Sequence, residues 1–135
     1  MFIGLRGGLA MNEKLILVVD DEITVREVVQ ICLEDLGGWR VLLAPSAQDG
    51  LKLAATEQPD AIVMDISMPG MDGFAFLDRL KGNPQSKSIP VVLLTAKALW
   101  FTQHQLKQLK VAGAISKPFN SLTLSQTIAT MLGWE

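Results

Sequence analysis

Residues 15–22 read Leu15-Ile16-Leu17-Val18-Val19-Asp20-Asp21-Glu22: five apolar side chains in a row, then three acids. A strand with one wet face alternates apolar and polar residues, whereas a strand covered on both faces is an unbroken apolar run. The stretch therefore predicts an interior strand of a parallel sheet with the acids at its carboxyl end. From Ile23 the period changes. Val25, Val28, Val29, Cys32 and Leu36 recur at helical spacing, with Arg26, Glu27, Gln30, Glu34 and Asp35 opposite, and Gly37-Gly38 closes the helix.

The same alternation continues along the chain. Trp39 to Ala44 predicts a second strand, and Ser46 caps a helix through Glu57 that turns Ala47, Leu51 and Ala54 inward. Ala61 to Met64 predicts a third strand that ends at Asp65, followed by a short helix over Phe74 to Lys81. Ile89 to Leu94 is a fourth strand ending at Thr95, and Leu99 to Leu109 a helix with Leu99, Thr102, Leu106 and Leu109 on one side. Ala114 to Ser116 is a short fifth strand ending at Lys117. The last helix runs from Ser121 to Leu132, capped by Asn120 or Ser121, with Leu124, Ile128 and Leu132 inward. Strand and helix alternating over short loops predict one α/β domain, a doubly wound (βα)5 sandwich whose five-stranded parallel sheet is covered on both faces by right-handed crossovers.

Composition narrows the partners. The 135 residues are 49% hydrophobic with a net charge of −2, which fits a single domain burying roughly two thirds of its unfolded surface. Twelve Lys and Arg against fourteen Asp and Glu leave no basic stripe for nucleic acid or for an anionic membrane. No apolar run reaches the roughly 18 residues of a membrane span. The sole cysteine, Cys32, cannot form an internal disulfide, and its place on an inward helical stripe makes it a packed small hydrophobe, so a cytoplasmic protein is expected. Met11 is followed by Asn12, Glu13 and Lys14 before the first strand, so residues 1–13 are expected to be a flexible extension ahead of a folded unit at 14–134.

Ligands of such sheets bind outside the carboxyl ends of the strands. Those ends carry Asp20-Asp21, Asp65, Thr95 and Lys117-Pro118. Three carboxylates in one crevice repel one another unless a cation neutralises them, and a hard divalent ion that takes oxygen ligands, such as Mg²⁺, does so. The Thr95 hydroxyl and the Lys117 ammonium complete an electropositive clamp suited to a phosphoryl group, which describes phosphoryl transfer to or from a carboxylate.

These residues resemble the receiver domain of two-component response regulators, in particular the stand-alone chemotaxis-type regulators. The resemblance rests on Asp20-Asp21, on Asp65-Ile66-Ser67-Met68-Pro69-Gly70-Met71-Asp72-Gly73, on Thr95-Ala96 and on Lys117-Pro118-Phe119, with intervals of 44, 30 and 22 residues from Asp21 to Asp65 to Thr95 to Lys117. It implies a flavodoxin-like strand order 2-1-3-4-5. It also implies that Asp65 is the phosphoacceptor, taking its phosphoryl group from a sensor histidine kinase or a histidine phosphotransfer protein. Asp21 and Asp65 would then bind Mg²⁺ directly, Asp20 directly or through water, and the backbone carbonyl of Ser67 would complete the protein ligands. Thr95 and the backbone amides of Ser67 and Ala96 would hold phosphoryl oxygens, Lys117 would pair with the remaining charge, and Lys117-Pro118 would be a cis peptide. Such a domain catalyses only its own phosphorylation and dephosphorylation and signals by altered affinity for a downstream protein; a homodimer through the last two helices stays open.

The sequence departs from the family pattern at Ala114, where an aromatic residue usually sits three positions before the strand-five lysine. The adjacent Trp100 and Phe101 are candidates for the output face instead, since at most one of them can join the stripe of Leu99, Leu106 and Leu109. The missing aromatic keeps one alternative in view, a pseudo-receiver that binds partners without phosphorylation. Other classes fit less well. A phosphohydrolase using an aspartyl-phosphate commonly has a second acid where Ser67 stands, a flavodoxin needs a hydroxyl-rich phosphate cradle where Asp20-Asp21-Glu22 stands, and no P-loop sequence is present. Asp72 reads as a turn residue and His104 as a solvated surface histidine.

Overall fold

The computed structural model describes residues 13–66 and 73–134. Five parallel strands, β1 (Leu15–Val19), β2 (Arg40–Ala44), β3 (Ala61–Met64), β4 (Val91–Thr95) and β5 (Gly113–Ser116), form one sheet in the order β2-β1-β3-β4-β5. The helices are α1 (Ile23–Ile31), α2 (Ala47–Glu57), α3 (Gly73–Gly82), α4 (Gln103–Leu109) and α5 (Leu124–Leu132). The order 2-1-3-4-5 leaves β1 and β3 adjacent, in register from Ile16↔Ala61 to Val19↔Met64. Asp20 and Asp65, each one residue beyond its strand, therefore come out side by side.

Alternate residues of the apolar strands face opposite layers. Leu17, Val19, Ile62, Met64, Val91 and Leu93 join Ala47, Ala54, Phe76, Leu80 and Leu106 in one buried cluster beneath α2, α3 and α4. Ile16, Val18, Ala61, Val63, Val92 and Leu94 join Val29, Cys32, Leu33, Leu124 and Ile128 in the other, beneath α1 and α5. Each fully buried aliphatic side chain contributes about 1.5–3 kcal/mol of transfer free energy. This two-sided burial is the reason the strands read as unbroken apolar runs.

Local signals set most boundaries. The Ser46 hydroxyl accepts a hydrogen bond from the Asp49 N–H and caps α2. The Gly73 N–H bonds the Ile66 carbonyl at 2.8 Å, closing the segment between β3 and α3. A Cβ on Gly73 would lie 2.5 Å from both Cα and O of Ile66, so only glycine permits this approach.

Four expectations need correction. The first helix widens into a π turn over Cys32–Leu36. The extra residue per turn rotates Leu33 into the core and leaves Leu36 55% exposed, and Val28 too is off the core at 39%. The helix expected from Leu99 is interrupted: Ala98–Trp100 form a 3₁₀ turn, Phe101 is extended, and α4 begins after Thr102. Thr102 and Gln105 make a reciprocal capping box, which fixes that start, and Leu99 is 89% exposed rather than inward. β4 begins at Val91, since Pro90 has no N–H for the ladder although its carbonyl accepts from the Ile62 N–H. Finally, Asn120 caps a turn through its side chain and the Leu122 N–H, and α5 starts only at Leu124, after Thr123. Of the expected extension 1–13, all but Glu13 lies outside the described residues, as do Ser67, Met68, Met71 and Asp72.

Candidate functional site

The carboxyl ends of β1, β3, β4 and β5 meet in one crevice. Asp20 is 2% exposed and Asp65 is 7% exposed, positions where carboxylates need partners. The Lys117 ammonium supplies them, 2.9 Å from Asp20 Oδ2 and 3.0 Å from Asp65 Oδ2, and it reaches Glu22 Oε1 at 3.2 Å. Burial alone would push the Lys117 pKa down. Hydrogen bonds from its ammonium to Asp20 and Asp65, together with their charges, outweigh that and hold it well above the ordinary lysine range.

Each carboxylate is set in place by backbone geometry. The Asp20 N–H donates to the Ala44 carbonyl, the Glu22 N–H donates to Asp20 Oδ1 at 3.0 Å, and Arg26 Nη1 donates to the Asp20 carbonyl at 2.7 Å. The Asp65 N–H donates to the Val19 carbonyl at 3.3 Å, tying the end of β3 to the end of β1. From the far side, Thr95 is buried at the end of β4 and its Oγ1 accepts from the Lys97 N–H at 3.2 Å. The Lys117 N–H donates to the Thr95 carbonyl at 3.1 Å, which stitches β5 to β4 at the crevice, and the Lys117-Pro118 peptide is cis. Ala96 is exposed just beyond Thr95.

Asp20, Glu22 and Asp65 each present an oxygen, all within 4.8 Å of one another. This all-carboxylate donor set suits a hard divalent cation such as Mg²⁺. Asp21 is exposed and stands outside that group of three. In the sequence Glu22 is only the third member of an acidic run and Arg26 a polar-face helix residue. Arg26 reaches back only six residues to the Asp20 carbonyl, whereas Glu22 meets a lysine 95 residues away, a contact no local pattern announces.

Around the crevice, a groove of 590 Å³ runs between α1 and the turn into α5, lined by Glu22, Val25, Val28, Ala96, Pro118 and Phe119 among others. On the other side of Thr95, Phe101 is half-buried against the α2–α4 cluster to which Ala114 also belongs, with its ring centroid 6.3 Å from that of Phe74. Trp100 is 72% exposed beneath the Lys97 ammonium, 5.2 Å from the ring centroid. One of the two aromatics thus packs inward and the other faces solvent.

A doubly wound sheet whose strand ends hold two buried aspartates, a bridging lysine and a buried threonine is the architecture of a receiver domain. The sequence matches the response regulator receiver domain family over residues 16–129, and the chain belongs to that family. It is 32% identical over 127 residues to a probable chemotaxis protein CheY from Rhizobium etli, covering 93% of this chain and 98% of that protein. It is 35% identical to the protein PilH of Pseudomonas aeruginosa, covering 87% of this chain and 96% of the relative. Against the response regulator Rre1 of Synechocystis, 37% identical over 117 residues, the chain spans about half the relative's length (51%). Among solved structures, the chemotaxis response regulator CheY4 of Vibrio cholerae superposes with a TM-score of 0.79 at 31% identity, covering 88% of this chain and 98% of that one. The receiver domain of the sensor histidine kinase PA1611 from Pseudomonas aeruginosa, with a magnesium ion coordinated in its active-site cleft, gives 0.77 at 26% identity, covering 90% and 98%. Receiver domains of this family are signalling modules of the two-component type, and the chain is one of them. No described helix is long and apolar enough to cross a membrane.

Proposed function

We propose that this protein accepts a phosphoryl group on Asp65 from a phosphohistidine of a sensor histidine kinase or a histidine phosphotransfer protein, in a Mg²⁺-dependent reaction, and signals by changed affinity for another protein. The observation that carries this reading is the Lys117 ammonium held between the buried carboxylates of Asp20 and Asp65, 2.9 and 3.0 Å away. A nucleophilic carboxylate needs a cation close enough to offset the charge that arrives with the phosphoryl group.

In the transfer, an Asp65 carboxylate oxygen forms the new P–O bond as the P–N bond to the donor imidazole breaks, and the histidine nitrogen leaves with the electron pair. Lys117 turns from the Asp65 carboxylate toward the incoming phosphoryl oxygens, and the Thr95 hydroxyl and the Ala96 amide take others. Asp20 and Asp65, with Asp21 and the Ser67 carbonyl, would hold Mg²⁺. When bound, the ion neutralises the carboxylates and the phosphoryl oxygens. Its fit rests on the carboxylate oxygens that Asp20 and Asp65 bring together in the crevice and on the magnesium in the similar PA1611 domain.

Phosphorylation adds nearly two negative charges beside Thr95 and Lys117. Drawing the Thr95 hydroxyl inward to donate to a phosphoryl oxygen pulls on the acceptor of the Lys97 N–H, the start of the turn that carries Trp100 and Phe101. The signal therefore leaves through that turn, with Ala114 offering no ring to relay it. The groove beside Lys117 gives the histidine-bearing partner an apolar wall at the mouth of the crevice. The test is intact mass after incubation with Mg²⁺ and acetyl phosphate. The reading predicts a gain of one phosphoryl group that EDTA and Asp65→Asn both abolish. A folded, Mg²⁺-binding protein that gains nothing is instead the phosphorylation-independent module that Ala114 suggests.

A further inference from the structure

Lys117 is held by more carboxylates than the proposed chemistry employs. An ammonium has three N–H donors, and its three carboxylate acceptors lie at 2.9, 3.0 and 3.2 Å on Asp20, Asp65 and Glu22. The partners are unequal. The side chains of Asp20 and Asp65 are 3% and 9% exposed, whereas that of Glu22 is 60% exposed. Glu22 is also the residue just before α1, its N–H bonded to Asp20 Oδ1 and its carbonyl accepting the Arg26 N–H at 3.0 Å. The backbone at Glu22 is pinned to the crevice while its carboxylate stays at the rim, able to swing with the lysine.

A divalent cation on Asp20 and Asp65 competes with the ammonium for the same two oxygens and repels it. Without a third acceptor, Lys117 would be driven into solvent whenever the cation binds, and would have to be recruited again for each phosphoryl group. We infer that Glu22 is a positioning residue that retains the Lys117 ammonium at the crevice mouth when Asp20 and Asp65 turn to a divalent cation, so that the lysine is already beside the arriving phosphoryl oxygens. Its bearing on phosphoryl transfer rests on the function proposed above; the retention itself does not. Glu22 acts here through Lys117 and not as a ligand of the ion.

The test uses Mg²⁺ alone, with no phosphodonor, so its outcome is separable from whether Asp65 is phosphorylated. Calorimetric Mg²⁺ titrations of the wild type, Glu22→Gln, Lys117→Met and the double variant are combined with ¹⁵N spectra of the Lys117 ammonium in the Mg²⁺-loaded protein. The expected results are about two- to fivefold weaker Mg²⁺ binding in Glu22→Gln, the size of one part-exposed ion pair, and shrinkage of that factor towards one in the Lys117→Met background. The Lys117 ammonium resonance should remain distinct from bulk lysines in the loaded wild type and merge with them in Glu22→Gln. If the loss persists at full size without Lys117, Glu22 is a metal ligand and the assignment is wrong. Identical ammonium spectra in loaded wild type and Glu22→Gln would overturn it as well. Glu22 is exposed and its substitution leaves the core intact, so the ammonium readout rests on a folded variant whatever Lys117→Met does to stability.

Discussion

Replacing Lys117 with methionine keeps most of the aliphatic stem and removes the charge. The ammonium stands 2.9 and 3.0 Å from two carboxylates whose side chains are 3% and 9% exposed. At an effective dielectric near 20, a unit pair at about 3 Å interacts by roughly 5–6 kcal/mol before desolvation is counted. Desolvation of the lysine offsets much of that. Removing one member of a buried pair nevertheless costs about 3–5 kcal/mol, because the partner is left charged and dry. In EDTA at neutral pH, Lys117→Met is therefore expected to lose about 3 kcal/mol in urea unfolding. A divalent ion can take the place of the missing charge, so saturating Mg²⁺ should stabilise the variant more than the wild type and bring the deficit to about 1 kcal/mol. Two results refute the reasoning: a loss under about 1 kcal/mol in EDTA, or a deficit that Mg²⁺ leaves unchanged.

Further outcomes follow from other parts of the molecule. Leu106→Ala, in the core beneath α4, should cost about 2–4 kcal/mol, whereas Leu99→Ala at the exposed 3₁₀ turn should fall within about 0.5 kcal/mol of wild type; equal costs would restore the longer helix. Thr102→Ala removes a capping box and should cost about 1 kcal/mol in the same urea assay. Burial, with Asp35 nearby, pushes the Cys32 thiol up, so an aromatic disulfide reagent should label it only in denaturant; fast native labelling contradicts this. The Lys117 pKa is raised on folding, so its contribution is fully present below the unfolded value of 10.5 and fades as pH climbs from there through the higher folded value. Stability should thus be indifferent to Lys117 titration at neutral pH and fall more steeply above about pH 10.5 in the wild type than in Lys117→Met, as read by urea midpoints.

Much of this molecule is legible in the chain. Leu15–Val19 and Ala61–Met64 are apolar on both faces because helices cover both, and that alone sets a parallel sheet and places Asp20 and Asp65 at its carboxyl edge. The adjacency of those two residues depends on the strand order, which periodicity does not encode and which here came from resemblance to receiver domains. The misplaced details share a cause: a local device outcompetes the average period. The π turn at Cys32–Leu36 exchanges Leu33 for Leu36, and the Thr102–Gln105 box cuts the helix that Leu99 would have begun. Glu22 has no local signature, because its contact with Lys117 crosses the fold while its neighbours make it resemble an ordinary acid before a helix.

The central claim is that Asp65 carries the phosphoryl group. Its most direct measurement is to phosphorylate the protein with acetyl phosphate and Mg²⁺, reduce the acyl phosphate with borohydride, and locate the resulting homoserine by peptide sequencing in the mass spectrometer. The account predicts homoserine at position 65 alone and none in Asp65→Asn. Homoserine at Asp20 or Asp21, 5-hydroxynorvaline at Glu22, or a phosphoryl group that survives hydroxylamine, would contradict it.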